Sequence, residues 1–127
     1  METTIKNFSN PDNHMDLPKV TIDSCQLCSA KIARMSVQPG WKWSTCIKPV
    51  VQTEWCMATH IGCLTQGQLH VLMKNGQEYD IKAGDCYEIQ PEHDAWIVGD
   101  QETIAFEFQP QIVDNLETAN SKKKKED

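Results

Sequence analysis

Turn signals recur along this chain at short, even intervals, and that rhythm limits what it can fold into. "QPG" stands at 38–40, "TQG" at 65–67, "KNG" at 74–76, "KAGD" at 82–85 and "QPE" at 90–92. The runs between them read as strands over 19–24, 29–37, 50–57, 60–65, 68–73, 77–82, 85–90, 94–99 and 102–109. "QLHVLM" and "EYDIKAGDCYEI" alternate apolar with polar positions, and "IAFEFQ" puts Ile104, Phe106 and Phe108 on one face. Asn75-Gly76 predicts a tight hairpin with positive φ at both central residues. No helical period is sustained and no internal repeat stands out. Short strands at this spacing predict one all-β domain, a barrel or a sandwich. Residues 1–18, polar and holding Pro11 and Pro18, read as an N-terminal arm. Residues 19–110 read as the barrel, and 111–127 lose the apolar pattern and read as a flexible charged tail.

Composition excludes several classes. The chain has 127 residues, enough for one domain to bury most of its apolar surface. No run approaches the ~18 apolar residues of a membrane span. The opening "METTIKNFSNPDNHMD" lacks the apolar segment of a secretory signal, so the expected compartment is the cytoplasm, with no membrane partner. Net charge is −6, and "SKKKKED" alone holds four of the twelve basic residues. Elsewhere Lys and Arg are scattered, whereas a phosphate-binding surface needs them clustered, so nucleic acid is not an expected partner. In such a compartment the six cysteines, Cys25, Cys28, Cys46, Cys56, Cys63 and Cys86, are expected reduced. The lone C-x-x-C, Cys25 and Cys28, reads as buried or edge thiols, because residues three apart on a strand face opposite sides. There is no Gly-x-Ser-x-Gly and no Gly-rich phosphate loop.

"HIGCLTQG" at 60–67 and "AGDCYEIQPEHDAW" at 83–96 carry a resemblance to the cupin superfamily. With "PGWKWS", "NGQEYDI" and "HDAWIVGD" they are similar to small single-domain bacterial cupins, over about residues 35–109. The family's first motif runs Gly, five residues, His-x-His, three or four residues, Glu, six residues, Gly. Anchored on Gly67, it puts the Glu position at His60 and the two His positions at Glu54 and Cys56, with Lys48 at the leading Gly. Its second motif, anchored on Gly84, puts the Pro-x-Gly positions at Gln90 and Glu92, the His at Ala95 and the Asn at Gly99. A shift of one place recovers Pro91 and moves the His position to Trp96. The resemblance implies a jelly-roll β-barrel with an interior pocket, often dimeric. It implies no particular reaction.

If the lumen lies on the family's side, Cys56, His60 and His93 reach inward together, His93 standing in from two residues before Ala95. A thiolate with two imidazoles suits a divalent metal: zinc, or iron or copper. Glu54, Trp43 and Trp96 are the expected pocket residues beside it. His70 is open. If Gln66-Gly67 is a two-residue hairpin loop, His60 opposes Met73 and His70 lies on the other face; if the loop has three residues, His70 shares the face of His60. The reading favours an exposed or interfacial His70. The expected function is a small-molecule-binding barrel without assigned chemistry; the alternative is a metal-dependent oxygenase or isomerase. Sheet edges are usually covered, so 19–37 is expected to pair with a second subunit in a homodimer or to cover its own sheet.

Overall fold

The computed structural model describes residues 2–126, and beyond Ala119 only the backbone of a helix. The described strands are β1 (Asn13–Leu17), β2 (Val20–Gln26), β3 (Lys31–Val37), β4 (His60–Gln66), β5 (Gln68–Met73), β6 (Glu78–Lys82), β7 (Cys86–Ile89), β8 (His93–Ile97) and β9 (Thr103–Phe108). The helices are α1 (Trp43–Cys46), α2 (Lys48–Val51) and α3 (Gln111–Glu126). A six-stranded sheet runs β1-β2-β3-β9-β4-β7 and a three-stranded sheet runs β6-β5-β8, antiparallel throughout. The core between them includes Val20, Ile22, Met35, Leu64, Val71, Ile81, Ala95 and Ala105, all buried. No helix among the described residues is long and apolar enough to cross a membrane.

The all-β reading holds, with four local corrections. First, β4 and β5 are not a hairpin. The chain leaves the six-stranded sheet at Gly67, whose φ is +84, and enters the three-stranded one. A Cβ at Gly67 would collide with the Thr103 side chain, so this crossing requires glycine on two counts. His60 therefore pairs with Ile89, not Met73, and His70 pairs with Asp80 and Trp96.

Second, residues 50–57 are not a strand. Pro49 sits in the first turn of α2, where its fixed φ favours helix and its missing N–H costs nothing. Gln52, with φ 59, ends that helix and starts a loop to Thr59. Third, the Asn75-Gly76 hairpin forms, but only Gly76 has positive φ, at +92. Gly76 N–H donates to the Met73 carbonyl, and the Asn75 side chain accepts from Gln77 N–H, which holds a type I turn followed by glycine.

Fourth, the ends are more ordered than their composition suggests. β1 lies within the stretch read as an arm and pairs with β2. Phe8 packs on Phe106, their ring centroids 5.8 Å apart, and covers part of the outer sheet face. Past Pro110, α3 buries Ile112, Val113 and Leu116 under one end of the barrel. Three apolar side chains at that helical spacing are worth about 1.5–3 kcal/mol each when buried. The first turns of the segment read as a flexible tail are thus packed. The side chains of the charged run 121–127 lie outside the described residues. Segment 19–37 covers its own sheet, since β3 pairs with β9.

Candidate metal centre

Three sequence-expected residues meet at the barrel end closed by α3. One donor atom each from Cys56, His60 and His93 lies within 4.8 Å of the others, and all three groups are buried. They arrive by different routes. His60 opens β4 in the larger sheet and His93 opens β8 in the smaller one. Cys56 rides on the loop after α2, which docks on the start of β8: Cys56 N–H donates to the His93 carbonyl at 2.8 Å, and Glu92 N–H donates to the Cys56 carbonyl at 2.8 Å. An isolated bridge, not a strand, places the thiol.

The imidazoles are oriented by their second nitrogens. His93 Nδ1 lies 2.7 Å from the Gln90 carbonyl, which can only accept, so Nδ1 carries a proton and Nε2 is the nitrogen left for the site. His60 Nδ1 lies 2.7 Å from Glu107 Oε1, and its Nε2 faces Cys56 Sγ at 3.6 Å. Tyr87 donates to Glu107 Oε2 at 2.7 Å, so one carboxylate on β9 accepts from both β4 and β7. Gly62 makes this possible. It is opposite Tyr87 on one side and Glu107 on the other. A Cβ at Gly62 would collide with the Phe106 carbonyl and press on the Glu107 side chain.

Charge follows from this geometry. Burial opposes ionisation of Cys56, but hydrogen bonds from His60 and His93 outweigh it and lower the thiol from 9.0 to about 6. Burial also opposes a charged His60, but the Glu107 charge and the Cys56 and Glu107 hydrogen bonds raise it from 6.5 to about 10. Near neutrality the pair is a thiolate beside an imidazolium. Burial and the adjacent Glu107 charge push the Tyr87 phenol up.

Two spaces adjoin the group. An apolar lumen of about 80 Å³ is lined by His60, His93, Glu107, Tyr87, Trp43 and mostly aliphatic side chains. An open groove of about 540 Å³ between α2 and α3 reaches Cys56 from outside. Trp41 Nε1, Trp43 Nε1 and Thr103 Oγ1 belong to residues lining the lumen and have no hydrogen-bond partner.

Of the other expected pocket residues, only Trp43 borders these spaces. Glu54 has an 81% exposed side chain and pairs with Lys48 at 3.4 Å. Trp96 lies on the outer face of the three-stranded sheet, because alternation along β8 sends Ala95 and Ile97 inward. There it stacks on His70 at 4.8 Å and under Lys42 Nζ at 4.8 Å. His70 binds Asp80 at 2.8 Å and Glu78 at 2.9 Å on that outer face.

Glu107, Tyr87 and Gln90 were not expected at the site. Alternation along β9 sends the less apolar set, Thr103, Ala105 and Glu107, inward and Ile104, Phe106 and Phe108 outward, so the sequence pattern by itself did not single out Glu107.

No family model matches the sequence, and no curated protein matches it. Solved structures do. AerE from Microcystis aeruginosa matches with a TM-score of 0.58 and 16% identity over 77% of this chain, which spans only 44% of AerE. The polyketide cyclase RemF from Streptomyces resistomycificus matches with a TM-score of 0.57 and 11% identity, over 86% of this chain and 80% of RemF. An RmlC-like cupin with a double-stranded β-helix from Methanocaldococcus jannaschii matches with a TM-score of 0.52 and 6% identity, over 87% and 91% of the two chains. Identities this low speak to architecture alone, and the architecture agrees with the two opposed antiparallel sheets described above: this chain has the cupin fold.

Proposed function

We propose that this protein is a metal-centred, small-molecule-binding cupin in which Cys56 Sγ, His60 Nε2 and His93 Nε2 hold one divalent ion. The observation that carries the reading is the pairing of each site-facing Nε2 with a fixed Nδ1, on Glu107 for His60 and on Gln90 for His93. Metal-binding histidines are oriented in this way. One thiolate and two imidazoles suit zinc first, with a fourth position left for a ligand. A bound ion would supply Lewis acidity at that position. The protein's part is to exclude water with the apolar lumen, to hold His60 against Glu107, and to take the His60 Nε2 proton away when the ion enters. Unpartnered donors on the lumen wall support a small ligand bearing an acceptor oxygen.

Elemental analysis of protein from zinc- and iron-supplemented cultures tests this. One ion per chain in the wild type and none in His60→Ala is the expected result. A wild type without metal, or a His60→Ala variant with full occupancy, overturns it.

The groove at Cys56 favours a second reading, a metal-dependent enzyme of oxygenase or isomerase type, since it offers a route for a substrate larger than the lumen admits. Iron or copper in the purified protein would favour it over a binding module. A homodimer remains part of the proposal, because β1, β6 and β7 are sheet edges. Light scattering giving the mass of one chain removes that part.

A further inference from the structure

Cys63 on β4 and Cys86 on β7 stand directly opposite each other in the ladder that also pairs His60 with Ile89. Neither is in a disulfide; Cys86 is exposed and Cys63 half-buried. The ladder fixes how they meet. Leu64 N–H donates to the Asp85 carbonyl, and Gly84 N–H donates to the Leu64 carbonyl. Leu64 therefore turns its backbone groups toward β7, so Cys63, one residue earlier, turns its own toward β9. The cysteines occupy a non-hydrogen-bonded pair, where opposed Cα atoms approach to about 4.5 Å and side chains lie closest. That separation falls within the range a disulfide spans, roughly 4.4–6.8 Å. Both side chains are on the outer face, since Gly62 and Leu64 are the buried positions beside Cys63. No other cysteines pair in register across the described strands.

We propose that Cys63 and Cys86 form a two-thiol modification site that a low-molecular-weight disulfide closes reversibly. Cys86, the exposed member, attacks the disulfide first as thiolate. One sulfur of the reagent bonds to Cys86 Sγ and the other leaves as a thiol carrying the Cys86 proton. Cys63 Sγ then attacks Cys86 Sγ, and the second reagent thiol leaves with the Cys63 proton. The two protein thiols lose two electrons and two protons, and one reagent disulfide becomes two thiols. The bond ties the edge strand β7, which carries Tyr87, to β4, which carries His60.

Incubation of the full-length protein with oxidised glutathione, followed by alkylation and peptide mass mapping without reduction, tests the proposal. The expected product is a Cys63–Cys86 linked peptide pair, two hydrogens lighter than the reduced pair and restored by excess reduced glutathione. Cys63→Ser is expected to stop at a glutathione adduct on Cys86. Cys25 and Cys28 serve as internal controls. A wild type that yields only glutathione adducts, or that links Cys25 to Cys28 and leaves Cys63 and Cys86 alkylated, overturns it.

Discussion

His60 and His70 both lean on carboxylates, and they have opposite prospects. His60 is buried, gives one nitrogen to Glu107, and keeps the other for Cys56. His70 sits on the outer sheet face with one nitrogen on Asp80 and the other on Glu78. The hydrogen bond to Asp80 and then that to Glu78 hold its pKa above 6.5. Both carboxylates are about half exposed, so these pairs are screened by water and contribute little. A carboxylate therefore prepares a histidine for ligation only where it takes one ring nitrogen and the other faces a second potential ligand. The His60 and His70 side chains are 12% and 18% exposed, so what separates the two sites is the carboxylate, 6% exposed in Glu107 and about half exposed in Asp80 and Glu78, and the number of ring nitrogens it leaves.

The largest effect that separates the pair is in metal content. His60→Ala should lose the bound ion, since Cys56 and His93 alone make too few ligands for a stable tetrahedral site, and His70→Ala should retain all of it. Equal losses by elemental analysis would erase the distinction. Next comes Gly62→Ala. Its Cβ meets backbone that cannot move aside, so it should destabilise the fold by about 1–3 kcal/mol or more in urea unfolding, and disturb Glu107 as well. Glu107→Gln keeps the shape but removes the charge behind His60. It should weaken zinc binding roughly 10–100-fold in a competition titration, with Tyr87→Phe having a smaller effect in the same direction.

Protons sharpen the comparison further. At pH 8 Cys56, at about 6, is already a thiolate, while His60, at about 10, still holds a proton on Nε2. Zinc added at that pH should release close to one proton per site, measured by pH-stat, and less in Glu107→Gln. The linkage has two arms in the metal-free protein. The Cys56 pKa is lowered on folding, so its stability contribution is complete above 9.0 and is lost as pH falls through about 6. The His60 pKa is raised, so its contribution is complete below 6.5 and is lost as pH rises through about 10. Melting temperature should therefore decline on both the acid and the alkaline side. The smallest effect is at His70, whose substitution should scarcely move the melting temperature; a loss of several degrees would show that its stack on Trp96 matters more than exposure allows.

What could be read from the sequence tracks how local the determinants are. Cys56, His60 and His93 stand at or within two residues of motif positions, and the barrel follows from turn spacing. Glu107 and Tyr87 reach His60 from strands distant in sequence, and only the β7-β4-β9 register places them there. Trp96 was expected in the pocket from the character of its indole, although the alternation that takes His93 and Ala95 inward sends it out, and Glu54 was assigned by counting along a strand that is in fact helix and loop. α3 escaped notice because three apolar residues are diluted among polar ones.

The loop that carries Cys56 ends where Thr59 N–H donates to the Gln111 side chain at 2.9 Å. Its anchor and the carboxylate partner of His60 both belong to the last fifth of the chain. All three candidate ligands are synthesised before either. Until Glu107 and Gln111 are made, a nascent chain carries His60 without its carboxylate partner and Cys56 on a loop without its anchor, while His93 already has the Gln90 carbonyl. A chain stopped before Glu107 would have all three candidate ligands, with His93 aimed and His60 not.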